Sequence, residues 1–168
     1  MIIIINGALG VGKTSVAETI HRKFEKSVHL DGDHIGNVNP FEIYDNNRIK
    51  YLYNTLALLV EFHKRNGYPN IVINYVFESP ESLNGLISLL VPYDKEIHTY
   101  WLTCEKEQQQ KRIQGRTRDS IGWELNRFIE LQNIQRKASM FGFIGKEIDT
   151  TMKSIEAIAE IIWKDIHS

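Results

Sequence analysis

The sequence predicts an α/β protein, with a parallel β-sheet covered by helices on both faces. Residues 2–5 are four consecutive isoleucines. Being apolar and β-branched at both parities, they suit a strand buried on both sides. Longer stretches carry apolar residues at helical spacing, as in Ile49, Leu52, Leu56, Leu59 and Val60. These two patterns alternate along the chain, which implies βαβ units and hence parallel strands.

Taken in order, Ile2–Ile5 forms the first strand. Thr14–Lys26 follows as a helix, because Val16, Ile20 and Phe24 share one face. Val28–Leu30 is a short second strand that ends at Asp31. Asn46–Asn66 is a long helix stopped by Gly67. Ile71–Phe77 is the third strand. Ser79 caps the next helix, with Pro80 at its first position, and that helix runs to about Leu90. Glu96–Thr103 is the fourth strand, and Glu105–Gln114 a helix that ends at Gly115. Ile121–Met140 is helical, and Glu147–Asp149 is a short last strand. Ile155, Ile158, Ile162 and Ile166 mark a final helix.

The 168 residues suffice for one domain, burying roughly 70% of its unfolded surface. With no repeat, low-complexity tract or linker, a single domain over residues 1–168 is expected. Twenty basic residues balance twenty-one acidic ones, so there is no electrostatic footprint for nucleic acid or an anionic membrane. No apolar stretch approaches the roughly 20 residues that span a bilayer. Cys104 is the only cysteine and forms no ligand spacing with the six histidines. A cytoplasmic protein acting on a small molecule, as a monomer or homodimer, is the expectation.

The most specific motif follows the first strand. Gly7, Ala8, Leu9, Gly10, Val11, Gly12, Lys13 and Thr14 match G-x-x-x-x-G-K-[ST], with Ser15 next. The glycines permit a loop whose N–H groups turn inward, and the following helix adds its positive N-terminus. Lys13 is placed for the β- and γ-phosphates, and Thr14 for Mg²⁺. The chain holds no N-K-x-D element, so a switch GTPase is disfavoured, and Asp33-His34-Ile35-Gly36 comes too early for its D-x-x-G.

At the end of the second strand stands Leu30-Asp31-Gly32-Asp33-His34. In an open parallel sheet that end faces the ligand crevice. One carboxylate is suited to a metal ion, through water, and the other to an attacking hydroxyl. Together NGALGVGKT, LDGDHIG, Arg112-x-x-x-Arg116-x-Arg118 and Ile148-Asp149-Thr150 resemble the small P-loop kinases. That group includes shikimate, gluconate and adenylylsulfate kinases and chloramphenicol phosphotransferase-like proteins. The resemblance implies a three-layer P-loop NTPase fold, with a five-stranded parallel sheet in the order 2-3-1-4-5. It also implies ATP, Mg²⁺ and transfer of the γ-phosphoryl group to a small-molecule hydroxyl.

By that resemblance Asp31 takes the metal side with Thr14, and Asp33 the acceptor hydroxyl, though the two roles are interchangeable. Arg116 and Arg118 fall on a lid over the phosphates at about residues 115–122. Such a lid delivers positive charge only on closure. Arg112 flanks adenine or pairs within the core, and Thr150 lies on the turn bordering adenine. The acceptor side offers His34, Arg48 and Glu78, with Arg127 and Arg136 as further basic candidates. One departure stands out. Asn74 occupies the third-strand position where many P-loop proteins carry aspartate, and an amide binds Mg²⁺ more weakly than a carboxylate. A nucleoside or nucleotide kinase is one alternative, and a nucleotide-binding regulatory protein with little turnover is another.

Overall fold

Strand β1 (Ile2–Gly7) occupies the middle of the sheet, and every residue in it is buried. The computed structural model describes residues 1–116 and 121–168. After β1 come α1 (Lys13–His21), β2 (Ser27–Asp31), α2 (Gly32–Ile35), α3 (Asn46–Arg65) and β3 (Asn70–Asn74). Then follow α4 (Pro80–Leu90), β4 (Ile97–Thr103), α5 (Lys106–Gln114), α6 (Ile121–Ser139), β5 (Lys146–Asp149) and α7 (Ile155–Asp165). The five strands pair in parallel in the order β2-β3-β1-β4-β5, as the resemblance implied.

Alternation along β1 divides the core. Ile3 and Ile5 face α1 and α7, where Val16, Ile20, Ile158 and Ile162 cover them. Ile2 and Ile4 face α3 and α4, against Leu52, Leu56, Leu83 and Leu86. Because both faces carry a helical layer, the isoleucine run is apolar at every position. Among the described residues no helix is long and apolar enough to cross a membrane.

Two elements stop three or more residues short of expectation, each through a side-chain contact. Helix α1 stops at His21 rather than continuing to Lys26. The Ser27 hydroxyl donates to the His21 carbonyl at 2.5 Å, and Phe24 turns away to pack edge-on against Trp163 of α7. Strand β3 stops at Asn74 rather than Phe77. The Asn6 side chain accepts from the Phe77 N–H at 2.9 Å and draws that residue into the core. The short α2 was not expected from the sequence. The Asp31 carboxylate caps it, accepting from the N–H groups of Asp33 (2.8 Å) and His34 (3.3 Å).

Candidate functional site

The loop between β1 and α1 has its carbonyls held from outside. Ala8 O accepts from Lys13 Nζ at 3.1 Å, and Leu9 O accepts from the Gln109 amide of α5. Val11 O lies 3.3 Å from both the Arg112 guanidinium and the Thr150 hydroxyl. With the oxygens turned outward, no acceptor among the described residues takes the N–H groups of residues 10–14. A ring of unpaired donors at a helix N-terminus matches an anion. Gly12 makes the geometry possible, with φ of 102° at the start of α1. A Cβ there would meet nothing within 4 Å, so the requirement is for the left-handed backbone and not for space.

Lys13 is buried beneath this loop. Burial lowers its ammonium below the ordinary lysine value, against the opposing pull of the Asp33 and Asp31 carboxylates. Arg112 donates to Thr150 O at 2.7 Å and to its hydroxyl at 3.0 Å. The guanidinium therefore ties the loop to the turn after β5.

Of the residues expected to face a metal, Thr14 Oγ1 donates to Asp31 Oδ2 at 3.2 Å. Asn74 Nδ2 donates to the same carboxylate oxygen at 3.0 Å, and the other end of its amide meets His29 Nε2. Burial pushes the Asp31 carboxyl up, but the Asn74 amide and the His34 and Asp33 N–H groups outweigh it. Asp31 is held below the usual carboxylate range. No group of three or more His, Cys, Asp or Glu side chains suited to a metal occurs among the described residues. One hydroxyl and one carboxylate still fit Mg²⁺, which keeps several waters and takes its other ligands from substrate phosphates. His29, partner to Asn74, went unnoticed in the sequence, because neighbouring strands alone do not say which side chains meet across them.

Asp33 is exposed on the first turn of α2, at the wall of a cavity of about 700 Å³. The approach is close, because a Cβ on Gly32 would lie 2.7 Å from the Tyr75 ring. Glu78 and Arg48 also line the cavity, whereas His34 is exposed outside it. The Arg48 guanidinium donates to the carbonyls of Glu42 (2.9 Å), Ile43 (2.8 Å) and Gly36 (3.4 Å), so it pins the 36–43 loop. Glu78 pairs with Arg127 of α6 at 2.5 Å. Arg136 instead pairs with Glu147 at 3.0 Å and lies over the Trp101 ring, away from this cavity. Arg116 pairs with buried Glu124 of α6 at 2.8 Å. Arg118 and the middle of the expected lid lie outside the described residues.

A buried amide cluster next to the loop went unseen in the sequence. Asn6 Oδ1 accepts from the Gly7 N–H (2.7 Å) and from Gln135 Nε2 (2.9 Å). Gln135 in turn accepts from Trp101 Nε1 at 3.2 Å. A glutamine inside an otherwise helical polar pattern gives no hint of this. Gln135→Leu leaves the buried Trp101 N–H unpaired, so a loss of about 2 kcal/mol in stability is expected. Urea denaturation should show a lower midpoint at unchanged slope, and an unmoved midpoint would remove the cluster's structural role.

Residues 2–137 match the AAA domain family. No curated protein matches the sequence. Among solved structures, the tunicamycin resistance protein of Deinococcus radiodurans aligns with a TM-score of 0.67 at 21% identity, covering 98% of this chain and 94% of that one. Shikimate kinase from Bacteroides thetaiotaomicron aligns with a TM-score of 0.70 at 13% identity, over 100% and 99% of the two chains. A gluconokinase from Sinorhizobium meliloti 1021 gives 0.65 at 13% identity, over 98% and 90%. At such identities the likeness is one of fold, and it is the fold of the small P-loop kinases. The protein belongs to the AAA domain family.

Proposed function

We propose that the protein is an ATP-dependent kinase that phosphorylates a hydroxyl of a small molecule. The carrying observation is the place of Asp33. It lines the large cavity, and its charge acts on Lys13 beneath the phosphate loop. A hydroxyl held in the cavity beside Asp33 would face a phosphate held by the loop. The acceptor oxygen bonds to the γ-phosphorus as the bond from that phosphorus to the β–γ bridging oxygen breaks. The hydroxyl proton passes to Asp33 and then to solvent, and ADP leaves.

The N–H groups of residues 10–14 and the Lys13 ammonium hold and stabilise the phosphate charge. Thr14 and Asp31 would hold Mg²⁺, which neutralises charge on the β- and γ-phosphates when bound. Arg116, paired with Glu124, would exchange that carboxylate for phosphate. Kinship in fold with shikimate kinase and gluconokinase supports the reading. A nucleoside or nucleotide kinase belongs to the same proposal.

Asn74 favours a second reading, a nucleotide-binding protein with little turnover, because its amide gives the metal side no second carboxylate. ADP release separates the two. With ATP, Mg²⁺ and a panel of hydroxyl compounds, release should rise above the acceptor-free background and collapse with EDTA. If ATP binds and no acceptor raises release, the second reading stands instead.

A further inference from the structure

We infer that the cavity beside Asp33 takes an uncharged alcohol with a planar aromatic body, not an anionic acceptor such as a sugar acid or a phosphate ester; as a statement about phosphoryl transfer this rests on the kinase reading above. Charge is the first reason. Among the described residues the wall carries the carboxylates of Asp33, Glu78 and Glu124 and the guanidiniums of Arg48 and Arg127. Glu78 is paired with Arg127 and Glu124 with Arg116, so the repulsion an anion meets comes from Asp33. Both guanidiniums are already engaged. Arg48 serves the carbonyls of its own loop. Arg127 is 8% exposed and bonded to Glu78, to Glu130 and, at 2.9 Å, to the Tyr44 hydroxyl. An anion seated here would have to displace a carboxylate from a mostly buried guanidinium while lying near Asp33. Both are unfavourable.

Aromatic surface is the second reason. Phe41, Tyr44 and Trp123 line the cavity, yet each is more than half exposed, at 52%, 61% and 52%. Large rings left open to water around one cavity have apolar area still to bury. Two of them are held in position by the engaged cations, Phe41 by Arg48 at 4.6 Å and Tyr44 by Arg127 at 5.4 Å. The same guanidiniums that are withheld from an anion therefore support the rings. Size is the third reason. About 700 Å³ is the scale of a drug-sized ligand. A sugar acid alone would leave most of it filled with water.

Two sources share this chemistry, nucleosides and aryl glycosides, since each joins a ring to a free hydroxyl. Matched pairs test it on the full chain: thymidine against thymidine 5′-monophosphate, and phenyl β-glucoside against gluconate. Binding is read by calorimetry without ATP, and transfer by ADP release with ATP and Mg²⁺. The neutral member of at least one pair should bind and be phosphorylated on the order of 10-fold better than its anionic partner. Preference for the nucleoside or for the glycoside then names the source.

Phe41→Ala should weaken binding of the neutral probe on the order of 5-fold with ATP binding unchanged. Glu78→Gln should narrow the preference, because it removes one carboxylate from Arg127. If the anionic members bind or react better, the inference is overturned while the kinase reading stands. If neutral probes bind but ATP is never turned over, the kinase reading fails and the ligand class holds. If neither member of either pair binds, the inference fails.

Discussion

Lys13→Ala is expected to lower the rate of phosphoryl transfer by about 10²–10³-fold, the usual loss when one preorganised donor to the reacting charge is removed. Two properties of Lys13 place the effect at this scale. Its ammonium is buried, so its charge is weakly screened, and it donates to the Ala8 carbonyl while feeling the charge of Asp33 and Asp31. Alanine also leaves Ala8 O without its partner, so nucleotide affinity should fall together with turnover. Single-turnover kinetics at saturating ATP separates the two, since the chemical step then reports transfer alone. Retention of the wild-type single-turnover rate would mean that the lysine serves loop architecture only.

Asp33→Asn should lower kcat by about 10²–10⁴-fold, the range for a positioned general base. The exposed side chain can be changed without disturbing packing, and the backbone N–H that it contributes to the Asp31 cap stays in place. ATP affinity should therefore remain within about two-fold of wild type. Asp31→Asn serves as the contrast, because that carboxylate is bonded to Thr14 and Asn74 and is the one proposed to hold the metal. Its loss should raise the Mg²⁺ concentration needed for half-maximal rate, whereas Asp33→Asn should leave that requirement unmoved. Full activity in Asp33→Asn, or a metal requirement that shifts with Asp33 and not Asp31, would exchange or dissolve the two roles.

The sheet was legible because its signals are local. An unbroken isoleucine run, stripes at helical spacing and the Ser79-Pro80 start each report on residues that are neighbours in sequence. What was not legible came from contacts between distant residues. Nothing near Phe77 announces that Asn6, 71 residues away, will end its strand early. The candidate site divides in the same way. The phosphate loop and the Asp31-Gly32-Asp33 turn are contiguous and were readable. Arg48 stood among the acceptor-side candidates because its partners are loop carbonyls, which no side-chain pattern reveals. Arg127 looked like a marginal candidate because Glu78 lies 49 residues earlier in the chain. The cavity's aromatic rim is assembled from Phe41, Tyr44 and Trp123, drawn from two segments that meet only in three dimensions.

The central position of β1 bears on how the chain is made. Ile2 pairs with Ile71 on one side and with Ile97 on the other. As the polypeptide leaves the ribosome, its most apolar strand therefore emerges well before either neighbour, and it has no hairpin partner to join in the meantime. Pairings so far apart in sequence close slowly. The phosphate loop hangs on the end of this strand and is braced by Gln109, Arg112 and Thr150, which are synthesised later still. The loop thus gains its bracing only once residue 150 has been made, and the isoleucine run is meanwhile a surface for chaperones to shield.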